Sequence, residues 1–257
     1  MRDVIQVRGL GKRYGKHHVL KGIDLTIQPG ELIGYIGPNG AGKSTTIKIL
    51  CGLTPEFEGE VSVLGMDVRT NSLEVKRKIG YIPENAALYE TLTPLEYLQF
   101  VGQLYEMPNK IISQKSLELL CLFGLDGAKD ARIATFSKGM RQKVLLISGM
   151  LHNPEIIFLD EPLSGLDANA VILVKEILTQ LKQSGKTIFY SSHIMEVVEK
   201  LSDRIMIINQ GEIIANGSFQ DLKMSAHGQS LEQIFTQLTG QGEHTGIANQ
   251  FVDVLKS

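Results

Sequence analysis

The chain has 257 residues, 43% of them hydrophobic and 21% charged, and its 26 basic side chains nearly balance 28 acidic ones. That mixture suits a globular protein of one large or two small domains; it excludes whole-chain disorder and argues against nucleic-acid binding by bulk charge. Two cysteines, Cys51 and Cys121, cannot form a disulfide scaffold or a Cys-based zinc site, so both read as small core residues of a reducing compartment.

Short apolar runs alternate with helical patterns, the mark of an α/β protein. Residues 4–7 and 23–27 read as strands of an N-terminal sheet, and 32–36 as a compact apolar strand closed by a glycine-rich turn. A helix is expected from Lys43 to about Cys51, then a strand at 60–64. Thr93-Pro94-Leu95-Glu96 opens a helix with an N-cap, a proline at the first helical position and a capping-box glutamate. Further helices are expected at 111–123, 139–151 and 168–182, and strands at 156–159, 187–190, 204–208 and 212–215. A mostly helical block, about 86–151, is thereby inserted between strands of a parallel sheet. Leu231, Ile234, Phe235 and Leu238 form one more amphipathic stripe, read as a core-covering helix in preference to a regulatory one. The Gly/Gln/Asn-rich stretch from Gly240 reads as a poorly ordered or weakly docked tail. No apolar run approaches the ~18 residues of a membrane span, and the first residues lack a signal-peptide core.

Gly37-Pro38-Asn39-Gly40-Ala41-Gly42-Lys43-Ser44, followed by Thr45, fits a phosphate-binding loop. Glycines let backbone N–H groups converge on phosphate oxygens, and the following helix turns its N-terminus toward the same anion. Lys43 is placed to reach the β- and γ-phosphates, and the Ser44 hydroxyl to ligate Mg2+. Downstream, Ile156-Ile157-Phe158-Leu159-Asp160-Glu161 ends a buried strand with two acids, where open α/β sheets bind ligands. Asp160 suits the Mg2+ shell, and Glu161 suits polarising a water for attack on the γ-phosphate.

These motifs, with four others in order, resemble the ATP-binding cassette (ABC) ATPases, bacterial exporter type, over about residues 4–217. Phe136-Ser137-Lys138-Gly139-Met140-Arg141-Gln142 matches the family's signature region, Ser164-Gly165-Leu166-Asp167 its D-loop and Ser191-Ser192-His193 its switch-histidine segment. Tyr14 stands where the family places an adenine-stacking aromatic; the alternative is an ordinary surface tyrosine. The resemblance implies an α/β fold: a P-loop NTPase core with a parallel sheet, an N-terminal antiparallel β subdomain and an inserted helical subdomain. It implies an ATPase domain over residues 1–217, the helical part at about 86–151, and a C-terminal helix and tail over 218–257. ATP and Mg2+ are the implied cofactors. Two cassettes pair head to tail in this family, so Ser137 and the Gly139 N–H are expected at the γ-phosphate of the opposite subunit, with His193 on that of its own.

Two positions depart from the family pattern. Tyr81-Ile82-Pro83-Glu84 carries glutamate where most members have glutamine, so Glu84 joins the expected metal and water shell. Lys138 replaces the first signature glycine, either adding charge at the dimer seam or standing as a solvated lysine. Both departures resemble exporter ATPases of the drug, antibiotic and bacteriocin-immunity group. The implied partners are a transmembrane permease subunit and a second nucleotide-binding subunit, identical or related, with no nucleic acid; the implied location is the inner face of the cell membrane. Leu88-Tyr89 and Tyr97 lie where the family meets its membrane partner; exposure for that contact and plain core packing are both open. His17-His18 reads as solvated loop, and His152, His227 and His244 receive no role. Alternative functions are an ABC-type ATPase acting on ribosomes or DNA and a P-loop phosphotransferase.

Overall fold

The computed structural model describes residues 3–85, 88–226, 228–240 and 251–255. Among them, ten strands form two sheets. The first is antiparallel, β2 (His17–Ile27), β1 (Ile5–Tyr14), β4 (Glu58–Val63) and β5 (Met66–Asp67) in that order. The second runs β10 (Glu212–Gly217), β9 (Arg204–Asn209), β3 (Leu32–Ile36), β8 (Thr187–Ser191), β7 (Ile156–Asp160), β6 (Ile79–Ile82). Its pairs are parallel except β10–β9.

Strands β3, β7 and β8 are buried at every position. Such strands read as continuous apolar runs because both faces meet protein. Alternate residues divide between two cores. Ile157, Leu159, Ile188 and Tyr190 join the core under the inserted helices, whereas Ile156, Phe158, Phe189 and Tyr35 join the core toward the antiparallel sheet and α1 (Lys43–Leu50). Phe189 lies 5.0 Å from Tyr35 and 5.9 Å from Phe158, centroid to centroid. Each such side chain contributes roughly 1.5–3 kcal/mol when fully buried.

Between β6 and β7 stand α3 (Pro94–Leu104), α4 (Asn109–Leu122) and α5 (Lys138–Met150). Thr93 makes both bonds of the expected capping box with Glu96. After β7 come α6 (Ala168–Gln183), α7 (Met195–Leu201), α8 (Phe219–Ser225) and α9 (Leu231–Thr239). Leu231 and Ile234 of α9 enter the core beneath the helices, as the stripe implied.

The antiparallel strands are longer than expected. Register shifts near Val7, Leu10 and Lys12 break the alternation that a sequence reading follows, yet pairing continues to Tyr14 and His17 around a two-residue turn. His17-His18 therefore begins β2 and is not loop. Also unforeseen are α2 (Ser72–Lys78), β5, β6, α7 and α8, all seven residues or fewer. Gly80 interrupts the apolar pattern of β6 for a steric reason: a Cβ there would sit 2.2 Å from the Gly149 carbonyl oxygen of α5. Cys51 is buried, but Cys121 is exposed on α4, so the core expectation fails for Cys121. Leu88 is buried, Tyr97 is half-buried, and of the three only Tyr89 is exposed, at 57%. Its ring meets Phe100 edge-on at 5.4 Å. His227, His244, the block boundary at Ala86 and the tail residues 241–250 lie outside the described residues.

Candidate functional site

The loop from Gly37 to Gly42 joins β3 to α1. It turns through an Ala41 N–H to Pro38 carbonyl bond of 3.1 Å and ends at Gly42, whose φ of 113° is open only to glycine. No side chain caps α1, so its first-turn N–H groups are left for an anion. Thr46 pins the loop from below: its hydroxyl donates to the Gly42 carbonyl at 3.0 Å and lies 3.2 Å from the Tyr35 hydroxyl. Burial pushes the Tyr35 phenol up, which keeps it neutral.

Lys43 folds back over the loop, donating to the carbonyls of Gly37 at 2.7 Å and Pro38 at 3.3 Å. Burial lowers its pKa, and the carboxylates of Glu161, Asp160 and Glu84 act against that shift. An ammonium held by neutral carbonyls can exchange them for phosphate oxygens at little cost in geometry.

Asp160 ends β7 with 3% of its surface exposed. Glu161 follows in the left-handed region, φ 51°, with a side chain 12% exposed. The Glu161 amide donates to the Ser191 hydroxyl, and that hydroxyl donates to Asp160 Oδ1. His193, with 70% of its side chain exposed, brings Nδ1 to 2.7 Å from Glu161 Oε2 and its backbone N–H to 3.3 Å from the same atom.

These groups surround a cleft of about 790 Å³ lined by Tyr14, His17, Val19, Asn39, Gly40, Gly42, Lys43, Ser44, Thr45, Glu84, Asp160, Glu161 and His193. Tyr14, 51% exposed, forms part of one wall. The buried Lys12 ammonium sits 4.8 Å from its ring centroid, an attraction of about 0.5–2 kcal/mol that holds the ring in place. Gly37, Pro38 and Ala41 are not on the cleft surface. Gly37 and Pro38 serve through carbonyls to Lys43, and Ala41 is buried.

Ser137 and Gly139 also stand outside this cleft. Ser137 N-caps α5, accepting from the Met140 N–H at 3.2 Å. Arg141 ties the segment down through the Phe136 and Ala134 carbonyls and through Glu90 at 2.6 Å. Lys138 is not freely solvated: it donates to Ser164 at 3.2 Å while its stem covers Gly165. A neighbouring cleft of about 410 Å³ lies between Glu84 and this helix start, lined also by Lys138, Arg141 and Gln142.

Among the described residues, no three or more His, Cys, Asp or Glu side chains are gathered to hold a metal by protein ligands alone. The donor set nonetheless fits Mg2+, because that ion takes one or two carboxylates and fills its shell with water and phosphate oxygens. Sequence reasoning gave no site role of their own to His17 and Ser191 and did not single out Lys12 or Val19. A strand pairing extended one more turn of the alternation would have found His17; nothing local marked Lys12.

A family model described as ABC transporter matches residues 20–164. The chain is 39% identical over 231 residues to the linearmycin resistance ATP-binding protein LnrL of Bacillus subtilis (strain 168), covering 90% of this chain and 74% of that one. It spans less, 61% and 57%, of two cyanobacterial relatives. A solved structure of the ATP-binding subunit of an ABC transporter superposes with a TM-score of 0.86 at 33% identity, covering 92% of this chain and 99% of that chain. The dimeric structure of a post-hydrolysis state of the ATP-binding cassette MJ0796, bound to ADP and Pi, gives 0.77 at 26% identity, covering 83% and 98%.

Proposed function

The chain belongs to the ABC transporter family as an ATP-binding, ATP-hydrolysing subunit, and from that premise we propose that it powers export by a separate transmembrane permease. One observation carries the reading most: Glu161, nearly buried at a strand end, faces the same cleft as the phosphate loop.

The N–H groups of the loop and Lys43 bind the β- and γ-phosphates, and Tyr14 stacks on adenine. Ser44 and Asp160, with Glu84 beside them, would hold Mg2+, which when bound would offset the negative charge of the phosphates. Glu161 takes the proton of the attacking water. His193 moves from Glu161 to the γ-phosphate. Ser137 and the Gly139 N–H, which do not line their own cleft, complete the cleft of a second copy arranged head to tail. Such a pair closes on itself with two identical sites. ATP favours closure because it meets the partner's signature only in the closed state.

Among the described residues no helix is long and apolar enough to cross a membrane; the proposed permease is the part that spans it. The exposed edge of Tyr89 and Phe100 is its docking site, at the inner face of the membrane. Export is supported by the Glu84 and Lys138 substitutions and by the resistance role in the name of the Bacillus relative. A net charge of −2 gives the ribosome or DNA reading little to build on. The test is Glu161→Gln: ATP binding persists and turnover is lost. Normal turnover overturns the assignment.

A further inference from the structure

The hydroxyl of Ser191, at the carboxyl end of β8, touches both members of the acid pair. It donates to Asp160 Oδ1 at 2.6 Å and accepts the Glu161 backbone N–H at 3.1 Å. Ser191 is 0% exposed, so water does not compete for either bond. The arrangement follows from the sheet. Parallel register sets Asp160 opposite Ser191, and the alternation that turns Phe158 and Phe189 toward α1 turns these two the same way. Immediately afterwards the chain enters the left-handed turn at Glu161, φ 51°, which side chains other than glycine rarely adopt. An anchored amide fixes the peptide plane from which that turn starts. With Oδ1 held, Oδ2 is the Asp160 oxygen left for a cation or its water.

We propose that Ser191 is a positioning residue for hydrolysis, whose buried hydroxyl orients Asp160 and holds the Glu161 backbone in the turn that aims its carboxylate. The proposal rests on the reading of Glu161 as general base and Asp160 as a Mg2+ ligand. The same short segment then governs both acids: Ser191 holds the Asp160 carboxylate and the Glu161 backbone, and His193 touches the Glu161 carboxylate. A displacement near 1 Å costs about 10²-fold in rate, so a single lost hydroxyl is expected to register in kcat.

The experiment compares Ser191→Thr with Ser191→Val, alike in shape and different in the hydroxyl, with Ser191→Ala as the variant that adds no bulk. Thermal melting checks that each folds. Ser191→Thr is expected to keep kcat within about threefold of the unaltered chain. Ser191→Val and Ser191→Ala are expected to lose about 10–10²-fold in kcat, a larger change than the one in KM for ATP. Titration with a fluorescent ATP analogue gives a readout apart from turnover. Ser191→Val binds it as the unaltered chain does in EDTA, and gains less affinity when Mg2+ is added. Thr and Val variants that turn over alike, or an unaltered Mg2+ effect in Ser191→Val, overturn the proposal. Glu161→Gln is measured alongside. If it turns over normally, the general-base reading fails; if it is inactive while Ser191→Val matches Ser191→Thr, only the Ser191 assignment fails.

Discussion

The two halves of the proposed ATP site are built differently. The half formed by the phosphate loop, Asp160 and Glu161 grows out of strands with no exposed position, and its Ser191–Asp160 and Thr46–Gly42 bonds lie among buried atoms. The signature half, residues 136–142, exposes Ser137 and Lys138 at the start of α5 and is held in part by surface bonds such as Arg141 to Glu90. An exposed ion pair of that kind contributes about 0–1 kcal/mol. On the proposed reading, the chemistry within one chain is fixed by its core, whereas the signature half is left to be completed by a second molecule.

Substitutions on each side separate these halves. Lys43→Ala should have the largest effect, nearly abolishing nucleotide binding by a single chain in an equilibrium titration; retained affinity would remove the phosphate-loop assignment. Glu161→Gln should lower turnover by about 10²–10⁴-fold while nucleotide affinity holds. Ser137→Asn, which preserves an N-cap for α5, should leave single-chain binding alone and reduce turnover by about 10–10²-fold. Loss of single-chain affinity in that variant would show that Ser137 serves its own cleft. Tyr14→Ala should have the smallest effect, weakening binding by about 1–3 kcal/mol, the scale of one stacked base. An unchanged dissociation constant would make Tyr14 a surface side chain.

The same contrast explains what was legible in the sequence. Continuous apolar strands, the glycine-rich loop and the Thr93 capping box are local signals, and β3, β7, β8 and α3 stand within a residue or so of where the pattern puts them. Asp160 and Glu161 could be placed because a strand end is a place on a sheet. Ser191 could not be assigned its contacts, because its meeting with Asp160 depends on register between strands thirty residues apart. Lys12 and Tyr14 stand two residues apart on one strand, and their contact went unread because the bulges of β1 hide how far that strand runs. Element β6 escaped notice because the glycine that lets α5 approach also erases the strand pattern.

The central claim is that ATP joins two chains by engaging the phosphate loop of one and Ser137 of the other. Light scattering on Glu161→Gln with ATP and Mg2+ tests it most directly. The expected result is a doubling of mass on adding ATP, reversed on its removal and absent when Lys43→Ala is also present. ATP bound at full occupancy to a chain that stays monomeric at high protein concentration would contradict it.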